Sequence, residues 1–184
     1  MVQTFVNKHS KGMTKYLIII LMILGFQSCV GAQKDSELFT IYLVRHSEKD
    51  LTSNNPSDPP LSQCGEQRSE NLSNFLRDVN LDVIYSSNYI RTQNTALPTA
   101  QSKGLEVAEY NPQELEDFSQ LLIANKQDAL VVGHSNTTGV LAGLLVGEEI
   151  GAFDLDIYDR VYQVLIYKNS GRLQLLHTSF DCRD

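Results

Sequence analysis

Phe39-Thr40-Ile41-Tyr42-Leu43-Val44-Arg45-His46 opens with a run that is mostly apolar, β-branched or aromatic and stops abruptly at an arginine and a histidine. A run of this kind reads as a strand buried on both faces, which puts Arg45 and His46 at its carboxyl end. The same arrangement recurs twice further on. Val83 to Tyr85 reads as a second strand, followed by Ser86, Ser87 and Asn88 as capping oxygens for a helix with Arg91 in its first turn. Ala129 to Val132 reads as a third buried strand, ending at Gly133 and His134.

The segments between these strands carry helical signals. Leu72, Phe75, Leu76 and Val79 fall at i, i+3, i+4 and i+7, giving one apolar face to a helix that starts near Ser62 to Glu66. Pro98 is expected to kink or end the Arg91 helix, and Gly104 closes it before a strand over Leu105 to Tyr110. Pro112 opens the next helix, whose stripe is Leu115, Phe118, Leu121 and Leu122. A helix from about Thr137 to Val146 follows. Val161 to Tyr167 and Leu173 to Ser179 then form a hairpin around Asn169, Ser170 and Gly171. Asp50 to Pro60, rich in Asn, Ser, Asp and Pro, is a loop beside Arg45 and His46.

Alternating strands and helices predict an α/β domain of three layers, with a mainly parallel central sheet and helices on both faces. Ligands in such sheets bind beyond the carboxyl ends of the strands. Arg45, His46, Arg91 and His134 therefore converge on one crevice from three segments. Guanidinium groups fit phosphate oxygens as bidentate forks, and their positive charge disfavours imidazolium, keeping His46 neutral for attack on phosphorus. His134 is then placed to stabilise the transferring group, since phosphoryl transfer rests mainly on positioning and electrostatics. A zinc site on His46 and His134 is the weaker reading, because such sites normally add a carboxylate or thiol with a clear outer shell. No metal or cofactor is expected.

The 184 residues fit one domain, and a net charge of −7 with a pI near 5.0 argues against a nucleic-acid partner. The amino terminus is read apart from the fold. Lys8, Lys11 and Lys15 flank an apolar run from Tyr16 to Phe26, too short to span a bilayer and suited to a signal peptide. Gln27, Ser28 and Cys29 resemble a bacterial lipobox, which makes Cys29 the lipidation site and 1–29 a leader. Cleavage after Val30-Gly31-Ala32 is the competing reading and gives a soluble exported protein. The expected organisation is that leader, a tether over 30–37 and a domain over 38–184, in the cell envelope or periplasm, with membrane contact only through the lipid. Cys64 and Cys182 are open to pairing in an oxidising envelope or to staying free, and the preferred reading is one semi-buried thiol and one tail thiol. His9 and His177 receive no role.

Together these residues resemble the first branch of the histidine phosphatase, or phosphoglycerate-mutase-like, superfamily. Leu43-Val44-Arg45-His46-Ser47-Glu48 is similar to its opening motif, with Ser47 where Gly or Ala is usual. Pro60-Leu61-Ser62-Gln63-Cys64-Gly65 resembles the Pro-Leu-Thr-x-x-Gly that starts the first helix. Ile84 to Ser87 with Arg91, Thr95 and Ala96 resembles the second motif, and Val131 to Thr137 the third. Tyr158-Asp159-Arg160 resembles a further segment, read here as fixing the last loop.

The resemblance implies a phosphohistidine on His46, with Arg45, Arg91 and His134 completing the phosphate pocket and Asn136 touching it. The family's proton donor is a Glu or Asp beyond the second arginine. Glu109 and Glu114 are the candidates, and Glu109, at a strand end, is preferred. Glu48 is read as a salt-bridge partner that orients Arg45. The implied activity is metal-independent hydrolysis of a small phosphorylated substrate. A phosphohistidine protein phosphatase and a non-catalytic phosphate-binding module are the alternatives. A mutase would need insertions for which this chain lacks room.

Overall fold

The computed structural model describes residues 37–168 and 170–182. The leader, Cys29 and all but the last residue of the tether lie outside the described residues. Six strands form one sheet: β1 (Leu38–Arg45), β2 (Val83–Ser87), β3 (Val107–Tyr110), β4 (Ala129–Gly133), β5 (Arg160–Tyr167) and β6 (Ser170–His177). Four helices connect them: α1 (Gln63–Phe75), α2 (Ile90–Lys103), α3 (Leu115–Asn125) and α4 (Thr138–Val146). The sheet order is β3-β2-β4-β1-β5-β6; β1 to β4 pair in parallel, and β5 and β6 add an antiparallel edge. The predicted three-layer α/β architecture is the observed one.

Alternation along β1 and β4 divides the core. Phe39, Ile41, Leu43, Ala129 and Val131 pack toward Phe118 and Leu122 of α3 and Leu141 and Leu145 of α4. Tyr42, Val44, Leu130 and Val132 pack toward Leu72 of α1 and Ala96 and Ala100 of α2. Both faces of the central strands are thus buried, which is why their sequences read as continuous apolar runs rather than alternating ones.

Several boundaries differ from the sequence reading, each for a physical reason. α1 stops at Phe75, capped by Leu76, and Val79 reaches the core after the helix has ended. α2 runs through Pro98 to Lys103. Its buried face of Thr92, Thr95, Ala96, Thr99 and Ala100 outweighs the backbone bond that proline removes. Gly104 ends α2 in the left-handed conformation, and the Leu105 amide bonds back to Ala100, so β3 begins only at Val107. Pro112 lies in the turn before α3 rather than in its first turn. The closing hairpin pairs Tyr167 with Ser170, so β6 starts earlier than expected.

Ser86 and Ser87 belong to β2, and α2 begins after Tyr89 with no local side-chain cap. The cap comes instead from Asp58, whose two carboxylate oxygens each accept from the Ile90 amide at 3.1 Å. α1 is capped as its sequence suggests, the Ser62 hydroxyl accepting from the Gly65 amide at 3.1 Å. A Cβ at Gly65 would sit 2.1 Å from the Glu48 carbonyl oxygen, so only glycine lets α1 lie this close to the residues after His46.

Cys64 and Cys182 do not remain separate thiols. They form a disulfide with Cα atoms 5.8 Å apart, joining the start of α1 to the carboxyl-terminal tail. Cross-links are favoured where the fold brings distant segments together, and no local pattern reports a pairing across 118 residues. Closing so long a loop restricts the unfolded chain, worth about 5 kcal/mol on loop-entropy grounds. Urea unfolding of the described domain is therefore expected to show a lower midpoint in dithiothreitol than in oxidising buffer. Cys64→Ser with Cys182→Ser should reproduce the lower value and abolish its redox dependence.

Candidate active site

The register of the central strands assembles the site. Arg45 lies opposite Gly133 in the β1–β4 ladder, and the His46 amide donates to the Gly133 carbonyl at 2.9 Å. Because β4 also pairs with β2, the residues after all three strands emerge side by side. The His46 and His134 rings meet edge to face with centroids 5.4 Å apart. Arg45, His46, Arg91 and His134 are thus brought together.

His46 is 4% exposed. Its Nδ1 lies 2.7 Å from the Ser47 carbonyl oxygen, which can only accept, so Nδ1 carries the proton and Nε2 keeps its lone pair. Burial, reinforced by Arg45, His134 and Arg91, pushes the His46 pKa down to about 3 despite the Ser47 bond, which acts the other way. The backbone that carries the ring is pinned by the Ser47 amide, which donates to the Thr95 hydroxyl at 2.9 Å.

His134 is placed by its neighbours in the same manner. Its amide donates to the Thr137 hydroxyl at 2.9 Å, and its Nε2 lies 2.9 Å from Ser87 Oγ. The Thr92 hydroxyl donates to backbone carbonyls of Ser87 and Tyr89 and accepts from Ser87 Oγ. Ser87 must then accept from His134, which fixes the proton on Nε2 and leaves Nδ1 uncommitted. Burial, with Arg91 and Arg45, pushes the His134 pKa down to about 4, opposed by Asp58.

Each arginine is anchored on one side and left unpaired on the other. Arg45, 6% exposed, donates through Nη1 to the carbonyls of Leu155 at 2.5 Å and Ile157 at 3.1 Å, and its guanidinium lies 4.1 Å from the Tyr158 ring centre. Arg91 pairs with Asp58 at 3.1 Å and lies over the Tyr89 ring. Both Nε atoms are buried without a partner. An unmet guanidinium donor at a crevice is an anion site in waiting.

Beside these groups lies a cavity of about 270 Å³ whose lining includes Tyr89, Arg91, Gln113, His134 and Asn136. Glu109 and Glu114 line a different cleft, with Tyr85, Tyr110 and Phe118. Glu48 does not pair with Arg45. It takes Arg68, whose Nη2 approaches its carboxylate to 2.6 Å while Nη1 donates to the Phe180 carbonyl. Asp159 pairs with His177 at 2.9 Å and so belongs to the end of the hairpin. Asp58, Arg68 and Tyr158 are the contributors that the sequence reading did not place at the site. Only Tyr158, beside Asp159-Arg160, carried a motif signal.

Comparison with known proteins agrees with this geometry. Residues 41–113 match the model of the histidine phosphatase superfamily, branch 1. Phosphoserine phosphatase 1 of Hydrogenobacter thermophilus is 42% identical over 74 residues, which is 36% of this chain and 34% of that protein, so the similarity spans about a third of the relative's length. Among solved structures, the protein histidine phosphatase SixA complexed with tungstate superposes with a TM-score of 0.64 at 16% identity, covering 76% of this chain and 97% of that one. A mycobacterial glucosyl-3-phosphoglycerate phosphatase with inorganic phosphate gives 0.60 at 14% identity, over 77% and 97%. Phosphoglycerate mutase from Bacillus anthracis gives 0.55 at 15% identity, over 78% and 95%. Residues 41–113 are thus similar in sequence to the histidine phosphatase superfamily, branch 1, and the described domain shares the fold of these solved structures.

Proposed function

We propose that this protein hydrolyses small phosphate monoesters without a metal, through a phosphohistidine on His46. The observation that carries the reading is a neutral buried His46 with a free Nε2 beside Arg45 and Arg91, whose buried Nε–H groups have no partner. The phosphate group takes up those donors and the Asn136 side of the cavity. Its charge favours a proton on the uncommitted Nδ1 of His134, which then donates to a phosphoryl oxygen. Nε2 of His46 attacks phosphorus, the ester oxygen departs, and water later cleaves the phosphorus–nitrogen bond to release orthophosphate.

Export is part of the same proposal. A disulfide between Cys64 and Cys182 suits an oxidising compartment, in line with a leader over 1–29 and lipidation at Cys29. Cys29→Ser should move the protein from the membrane fraction to the soluble envelope fraction. Unchanged membrane retention would sink the anchor.

Phosphate release from p-nitrophenyl phosphate, measured with chelator present, is expected from the native protein and should be lost in His46→Ala. Retained turnover in that variant would overturn the mechanism. The depressed histidine also sets a stability profile. Unfolded histidine takes up a proton near pH 6.5 while folded His46 resists until about pH 3, so folding loses stability as pH falls through that window. Each pH unit inside it costs up to about 1.4 kcal/mol per such group. His46→Asn should therefore lose less stability than the native protein between pH 6 and pH 4, values chosen roughly within that window, as read by urea unfolding at each pH.

A further inference from the structure

We propose that Asp58 is the proton donor to the leaving oxygen, a step that rests on the phosphatase reading above. Its carboxylate is held at the edge of the phosphate site by three contacts. Oδ1 lies 3.1 Å from Nη1 of Arg91, and both oxygens accept from the Ile90 amide at the start of α2. Its side chain is 28% exposed, so it faces solvent on one side and Arg91 on the other.

The loop that carries it is fixed. The Asp50 amide donates to the Pro60 carbonyl, Lys49 bridges to Leu61, and Asn55 Oδ1 accepts from the Asp58 amide. Pro59 and Pro60 stiffen the backbone that follows. Asp58 pairs with Arg91, which lines the cavity together with His134, and its charge acts on His134, whereas Glu109 lines a cleft that shares no residue with that cavity.

A carboxylate paired with arginine is ionised, whereas a donor needs its proton. Substrate resolves the conflict. The phosphate dianion takes over the Arg91 guanidinium and brings negative charge next to the carboxylate, and both changes favour the protonated form. As Nε2 of His46 forms its bond to phosphorus, the ester P–O bond breaks and the Asp58 proton passes to the departing oxygen. An alcohol leaves, and Asp58 remains as carboxylate. In the second half Asp58 accepts a proton from the attacking water, the new P–O bond replaces the P–N bond, and as orthophosphate departs Asp58 gives back to solvent the proton it took from solvent when substrate bound, which returns both residues to their starting states.

The competing role is positional, with Asp58 merely capping α2 and orienting Arg91. Leaving-group dependence separates the two. p-Nitrophenolate departs without a proton, whereas phenolate from phenyl phosphate benefits from one. Asp58→Asn is expected to lower kcat/KM, which reports the step that expels the leaving group, on phenyl phosphate by a factor about 100 greater than its loss on p-nitrophenyl phosphate, the usual scale of general acid catalysis. Equal losses on the two esters, with KM raised alike, would assign Asp58 to positioning and overturn the proposal. Asp58→Ser, which retains a helix-capping oxygen but no acidic proton, is the second variant should the amide not fold, and is read by the same ratio. A native protein that hydrolyses neither ester would remove the phosphatase reading itself, an outcome distinct from equal losses in the variants.

Discussion

The parallel ladder between β1 and β4 is the constraint on which the rest depends. Pairing Arg45 with Gly133 sets the His46 amide on the Gly133 carbonyl and brings the two catalytic-type histidines to 5.4 Å. A shift of one residue would turn Ile41 and Leu43 toward the α1–α2 side and Tyr42 and Val44 toward the α3–α4 side, reversing two cores at once. The hydrophobic division of the sheet therefore fixes the position of chemistry at its end. Gly133 is confined further, since a Cβ there would lie 2.5 Å from the Tyr110 hydroxyl and 2.8 Å from Thr137 Oγ1.

Around that point the protein concentrates positive charge although its net charge is −7. Two arginines beside the buried His46 and the half-buried His134 would be costly if every group were charged, and the histidines absorb the conflict by remaining neutral. The arginines are held from behind by groups that leave their inner edges open: carbonyls of Leu155 and Ile157 with the Tyr158 face for Arg45, and Asp58 with the Tyr89 face for Arg91. A second layer supports this one. Arg68 ties Glu48 to the Phe180 carbonyl, and the Cys64–Cys182 disulfide holds the same tail against α1. The residues just after His46 are thus pinned to the last residues of the described chain.

What the sequence disclosed was what strand periodicity encodes. Runs ending at Arg45-His46, Tyr85 and Gly133-His134 announced a parallel sheet and the end of it that matters, because burial on both faces leaves a continuous apolar signature. Side-chain partnerships across the fold leave none. Glu48 stands three residues from Arg45 in sequence and suggests that pairing, yet the ladder and the close approach at Gly65 turn it toward Arg68 on α1. Ser86 and Ser87 looked like caps because they precede a helix; β2 consumes both, and Ser87 instead fixes the His134 tautomer. The true cap lies 32 residues earlier in a polar loop, where a carboxylate has no local pattern to distinguish it.

That displacement has a consequence for how the site can vary. Asp58 caps α2 and touches Arg91 with the same carboxylate, so helix initiation and phosphate-side charge are coupled through one residue. Other positions of the loop carry no such double duty: Leu51 is 82% exposed, and Thr52 and Ser57 bond only to neighbours within the loop. On the proposed reading, substrate preference shifts through the outer loop residues without disturbing Arg91. A change at Asp58 alters the start of α2 and the surroundings of Arg91 together, and the loop's rigidity serves to hold that one side chain.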